Sequence, residues 1–144
     1  MKIVASLQRA NSKWKQIEET KLKNAVKAVN RGALKIHKDI IQSFVSSKSG
    51  KEYPRGGKTH TASAPGEAPA RDTGHLGQTT TFKLINVNDA TKLSVAEVSV
   101  SAEYALALEF GREDGSIAPR PFVRPAFAAN KESIAEDIKK ALSS

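Results

Sequence analysis

Apolar residues in the first third of the chain recur with a helical period. Leu22, Val26, Val29, Ala33, Ile36, Ile40 and Phe44 are spaced four, three, four, three, four and four residues apart, which places them on one face of a 3.6-residue repeat. Lys21, Lys23, Lys27, Lys35 and Lys38 fall mostly off that stripe. The pattern predicts one long helix from about Ser12 to Ser46. Gly32 marks a weak point where it is expected to bend, since an interior glycine costs about 1 kcal/mol relative to alanine. The run "SSKSG" ends the helix, with Gly50 as terminator.

From residue 47 to residue 78 no period of 3.6 or 2.0 survives, and the stretch holds six glycines and three prolines. It reads as an extended loop or arm, a length that in a compact domain is functional or disordered. Too little of it is apolar to fold alone. Residues 50–76 are therefore expected to be mobile in the isolated chain and to order against a neighbouring subunit.

Two strands follow. "TTTFKLI" sets Phe82 and Leu84 on one face. "KLSVAEVSVS" carries Leu93 and Val95 on one phase and Val98 and Val100 on the other, which fits a bulge near Ala96-Glu97 or a strand apolar on both faces. "NVNDAT" supplies the turn between them. A short helix comes next, with Ser101 as N-cap, Tyr104 and Leu108 one turn apart, and Gly111 at its end. The proline-rich stretch "SIAPRPFVRPAF" leads into a last helix, with Pro125 in its first turn and Phe127, Ile134, Ile138 and Leu142 on its apolar stripe. The fold class is α+β: a long N-terminal helix and a C-terminal helix packed on a small antiparallel β-sheet, with a long Gly/Pro-rich loop. All 144 residues fit a single domain.

Charge is unevenly placed. The net charge is +8, yet residues 1–60 hold 14 Lys/Arg against 4 Asp/Glu, and residues 61–144 hold 9 against 11. A basic half joined to a mildly acidic half suits a polyanion, or identical copies meeting head to tail; a solvated lysine-rich helix face is the plainer reading. The absence of cysteine excludes disulfides, thiolate catalysis and cysteine-based zinc sites. No apolar run approaches the ~18 residues of a membrane span. The opening residues lack the apolar length of a secretory signal, so synthesis in the cytoplasm is expected.

Catalytic motifs are missing. No phosphate-binding G-x-x-x-x-G-K-[ST] loop, G-x-S-x-G turn or H-E-x-x-H pair is present. His37 lies beside the apolar face of the long helix and reads as a hydrogen-bonded structural histidine. His60, Asp72 and His75 are potential hard-metal ligands, but nothing in their spacing gives them a common geometry. Glu113-Asp114 and Glu136-Asp137 are sequence neighbours and do not converge on one substrate. Glu109, in the apolar "YALALEFG", needs a cation. Arg120 or Arg124 would provide one, clamping the proline segment to the short helix. These residues point to no enzyme, cofactor or metal. A sequence pI near 9.8 leaves non-specific DNA binding open. Trp14 with Lys13 and Lys15 is too little for a base-stacking groove.

"YALALEFG" followed by "APRPFVRPAF" and a terminal amphipathic helix resembles the tail-component family of lambdoid siphophages. "TASAPGEAPARDTGHL", after a lysine-rich helix, is similar to that family's Ser-Ala-Pro-Gly-x-x-Pro-Ala…Thr-Gly-x-Leu stretch. The likeness runs from about residue 20 onward. It implies a structural protein of the virion neck, in tail completion or head–tail joining. It further implies helices packed on a sheet, and rings of identical subunits, commonly six, between the head connector and the tail tube. A tail terminator capping the tube is the related alternative. Tyr104, Phe110, Gly111, Pro119, Arg120, Pro121, Phe122 and Pro125 match the family's hallmark positions, and Pro65, Gly66, Pro69, Thr73 and Gly74 match its loop block. Gly111 is followed here by Arg112 where the family has Thr or Ser.

Ring closure demands that every copy present the same edge, and prolines reduce the entropy lost on docking. Tyr104, Phe110, Gly111, Arg120, Phe122, Arg124, Pro65 and Gly66 are thus the candidate subunit-interface residues. Phe122, bracketed by prolines, is expected to anchor a neighbour. Phe127 is divided between that role and the subunit's own core. The expected partners are further copies of the chain, the head connector or stopper, the tail terminator or tube, and DNA in the lumen.

Overall fold

A computed structural model describes the backbone of residues 2–85 and 95–144 and the side chains of residues 12–84 and 96–144. The apolar stripe becomes the 44-residue helix α1 (Lys2–Val45), about 66 Å long at 1.5 Å per residue. It starts ten residues earlier than expected and remains helical through Gly32. That glycine is there for close approach: a Cβ on it would lie 2.9 Å from both Cγ1 and Cγ2 of Ile134. Ile134 belongs to α4 (Val123–Ser143), which runs antiparallel to α1. Asn130 Nδ2 donates to Asp39 Oδ2 at 2.7 Å and to the Ala126 carbonyl at 2.8 Å, so a buried amide sets the register of the two helices.

Ile36, Ile40 and Phe44 of α1 pack with Ala102, Ala105, Phe122 and Ala126 to form the core. Phe44 and Phe122 meet edge to face, ring centres 5.2 Å apart, the arrangement aromatic quadrupoles favour. This core is confined to the C-terminal half of α1. Every described side chain from residue 12 to residue 20 is exposed.

Within the stretch read as an arm, β1 (Glu52–Arg55) and β2 (Lys58–Thr61) form an antiparallel hairpin. Gly56 and Gly57 make its turn, with φ of 56° and 76°. A two-residue turn positive at both positions matches the right-handed twist of its strands and favours glycine. Farther on, α2 (His75–Gln78) is a single turn leading into β3 (Thr80–Ile85). β3 pairs with β4 (Val95–Val100) from Thr80↔Val100 to Ile85↔Val95 without a slip. The bulge suggested near Ala96-Glu97 is therefore absent. The "NVNDAT" turn lies outside the described residues. α3 (Ala105–Phe110) then ends at Gly111 as anticipated, but its N-cap is Tyr104 rather than Ser101.

Hydrogen bonds join the arm to the body. Arg71 N–H donates to the Phe44 carbonyl at 2.9 Å, and Gly50 and Ala62 close the hairpin's base. Glu67 accepts from Ser49 Oγ at 2.5 Å, Ala64 N–H at 2.9 Å and Ser49 N–H at 3.2 Å. Those bonds, led by the Ser49 hydroxyl, lower its carboxyl to about 2.

Candidate interaction surface

Three faces of α3 do three jobs. Six residues make under two turns, so Tyr104 and Leu108 share one side, Ala105 and Glu109 the second, and Leu106 and Phe110 the third. The second side turns inward. Glu109 is 5% exposed, and its carboxylate reaches the start of α4. There it accepts from the N–H groups of Phe122 at 2.8 Å, Val123 at 3.0 Å and Arg124 at 3.0 Å.

A helix leaves its first N–H groups without intrahelical partners. Here Phe122, the N-cap, offers no side-chain acceptor, and Pro125 has no N–H. One carboxylate from another helix therefore serves as the cap and also places negative charge at the positive end of the helix dipole. Burial disfavours the charged form of Glu109. The three backbone bonds and Arg124 outweigh it, holding the carboxyl below its ordinary value. Arg124 Nε donates to Oε1 at 3.0 Å and Arg124 Nη2 to the Glu109 carbonyl at 2.9 Å. The sequence reading of Glu109 as a clamp holds with Arg124 as its cation, although most of the grip comes from backbone N–H groups.

The two sequence blocks that carried the resemblance meet in space. Gly66 N–H donates to the Pro119 carbonyl at 2.8 Å, and Arg120 Nε donates to the Ser63 carbonyl at 3.3 Å. Arg120 N–H is bound to the Leu108 carbonyl at 2.6 Å. Pro65 and Gly66 stand exposed at this junction. Gly111 has φ of 77°, and a Cβ there would lie 2.9 Å from the Ile117 carbonyl oxygen and from Pro119 Cδ. In the isolated chain, then, Arg120, Gly111 and Arg124 hold the proline segment against α3.

Phe122 requires a correction. It is 2% exposed and sits at the centre of the chain's own core. The prolines beside it do not push it outward; Glu109 draws the backbone around it against α3, and that turns its ring toward Phe44. Phe127, in contrast, is 56% exposed.

Exposed apolar surface lies elsewhere. Leu106 is 72% and Phe110 57% exposed, and Trp14 on the N-terminal half of α1 is 64% exposed. The Arg124 guanidinium stacks on Phe110, 4.6 Å from the ring centre. Leu106 and Phe110 form one wall of a groove of about 240 Å³ whose floor includes Val98, Val100 and Val123. Tyr104 borders a second cavity, of about 530 Å³, between Ile41 and Phe44 and the 69–78 segment. Leu106 escaped the sequence reading, yet "YALALEFG" held the signal: a short helix apolar on every side cannot bury all of them against one core.

The histidines serve separate ends. His37 Nε2 donates to the Thr80 carbonyl at 3.0 Å, the structural role foreseen. His60 packs against Tyr53, His75 against Tyr104, and Asp72 pairs with Arg55. Among the described residues no group of three His, Asp or Glu side chains converges as a metal site would require. No described helix is long and apolar enough to cross a membrane. Set against known protein-family models, curated proteins and solved structures, the chain finds no match in any of the three.

Proposed function

We propose that the chain is a structural subunit that works by assembling with copies of itself: a ring-forming tail-completion or head–tail joining component of a phage neck. The observation that carries this reading is its surface. Among the described residues, the large apolar side chains Trp14, Leu106, Phe110 and Phe127 are more than half exposed. A chain that leaves such side chains in water while burying few large ones has surface to be covered by assembly. The neck role and the virion as its place come from the sequence resemblance, and both blocks behind it converge at the Gly66–Pro119 junction. A tail terminator would use the same kind of ring and differ in its neighbours. Lys21, Lys23 and Lys27 are left for DNA passing through the lumen.

Native mass spectrometry and electron microscopy of the purified chain test the assembly. Closed rings, six-fold as the resemblance implies, are expected. A single 15.5 kDa species at every concentration would refute the reading. A monomer with steeply salt-dependent affinity for DNA would replace it with a DNA-binding one.

A further inference from the structure

The apolar stripe of α1 does not stop where its cover stops. Ala25 and Ala28 are buried on the side that faces the body. Counting back along the helix at 100° per residue, Trp14 and Ile17 fall on that same side, but there both are exposed. α4 cannot cover them. Its Asn130 lies beside Asp39 and its Ile134 beside Gly32, so its last turns run out alongside α1 residues in the mid-twenties. The segment 12–20 therefore projects beyond the body with a large aromatic, a branched aliphatic and Lys13 and Lys15 on its surface.

The groove beside Leu106 and Phe110 has the complementary character. Its lining is apolar apart from the paired Glu109 and Arg124, and acidic residues flank α3 along the chain. Glu103 stands one turn before Leu106, and Glu113 and Asp114 follow Phe110, all three exposed, with Arg112 the opposing charge. Arg124 at the groove's edge is already matched by Glu109.

Resting on the assembly reading above, we infer that the N-terminal segment of α1 from one copy docks in the α3 groove of the next, Trp14 and Ile17 against Leu106 and Phe110, Lys13 and Lys15 toward Glu103 and Glu113. The contact is necessarily between copies. The groove abuts the core around Ile40, and Trp14 lies roughly 39 Å from Ile40 along a continuous helix, so no subunit reaches its own groove. Two different patches meeting makes the interface head-to-tail, the kind that closes into a ring or runs on as a filament. An aromatic anchor entering a partner's pocket, with charges at the rim, is how such interfaces concentrate their affinity.

Two variants test it: Trp14→Ala/Ile17→Ala, which disables the donor, and Leu106→Glu, which disables the acceptor. All the altered side chains lie outside the core, and circular dichroism confirms that each variant keeps the native fold. Sedimentation velocity is run on each alone and on an equimolar mixture. Each variant alone is expected to lose the wild-type oligomer and sediment as a monomer. The mixture is expected to give a 1:1 dimer and nothing larger, because one intact donor and one intact acceptor remain. Wild-type-sized oligomers from either variant alone, or no dimer in the mixture, would overturn the inference while leaving self-assembly standing. Loss of DNA retention by the Trp14 variant with its oligomers intact would also overturn it and give the segment to DNA. A wild-type chain that is monomeric throughout would instead remove the assembly reading itself.

Discussion

Replacing Glu109 with glutamine changes one atom and removes half of a joint. Oε2 accepts the N–H groups of Phe122 and Val123, and Oε1 accepts two donors from Arg124. The amide keeps one oxygen for two donors and turns its own NH2 toward the other two. Hydrogen bonds to a charged group contribute about 1.5–3 kcal/mol each, and a buried donor left unmet costs about 1–3 kcal/mol. Glu109→Gln is thus expected to destabilise the fold by about 3 kcal/mol at pH 7. In a chain of this size that lowers the melting temperature by about 10 °C, measured by urea and thermal unfolding at fixed protein concentration.

Arg124→Gln serves as the control. Its side chain is 57% exposed, and an exposed pair contributes at most about 1 kcal/mol, so this variant should lose far less. The pH dependence follows from the sign of the shift. Glu109 is lowered in the folded state, so its contribution is present above the ordinary carboxylate value and is lost as pH falls through the lowered one. The wild-type and Glu109→Gln stability curves should therefore converge in acid. A Glu109→Gln protein within about 0.5 kcal/mol of wild type at pH 7, or an Arg124→Gln protein equally destabilised, would refute the capping account.

Phe122→Ala, which the sequence reading would have left folded, is expected to cost about 3–5 kcal/mol and to show as loss of the cooperative urea transition. Gly32→Ala should destabilise modestly, since overpacking costs about 1–3 kcal/mol and improved helix propensity returns about 1 kcal/mol. Its sign should reverse beside Ile134→Ala, which a double-mutant cycle would read out. The Gly66 and Arg71 amides, bonded to the Pro119 and Phe44 carbonyls, should exchange slowly with deuterium in a monomeric variant. Exchange there at the rate of an unstructured peptide would support the mobile arm.

How much of this was legible in the residues differs from element to element. The two main helices were plain because burial on one side of a helix leaves a 3.6-residue trace over many turns, as from Leu22 to Phe44. Glu109 was legible as an anomaly, a charge inside an apolar run that had to be neutralised. Gly56-Gly57 was an available hairpin signal that the polar composition around it obscured. Phe122 could not be placed, since proline content fixes φ angles but says nothing of which way the chain turns between them.

By itself the sequence determined the fold class, the lack of cysteine chemistry, the uneven charge and the need for a partner to Glu109. Those properties reside in residue identity and local spacing. Only the tertiary structure decided that Gly32 admits Ile134, that the 63–66 and 119–120 segments bind one another, and that Phe122 is core while Leu106 is surface. Each depends on which distant segments meet, and a short helix apolar on all sides has no local feature to choose the side that is covered.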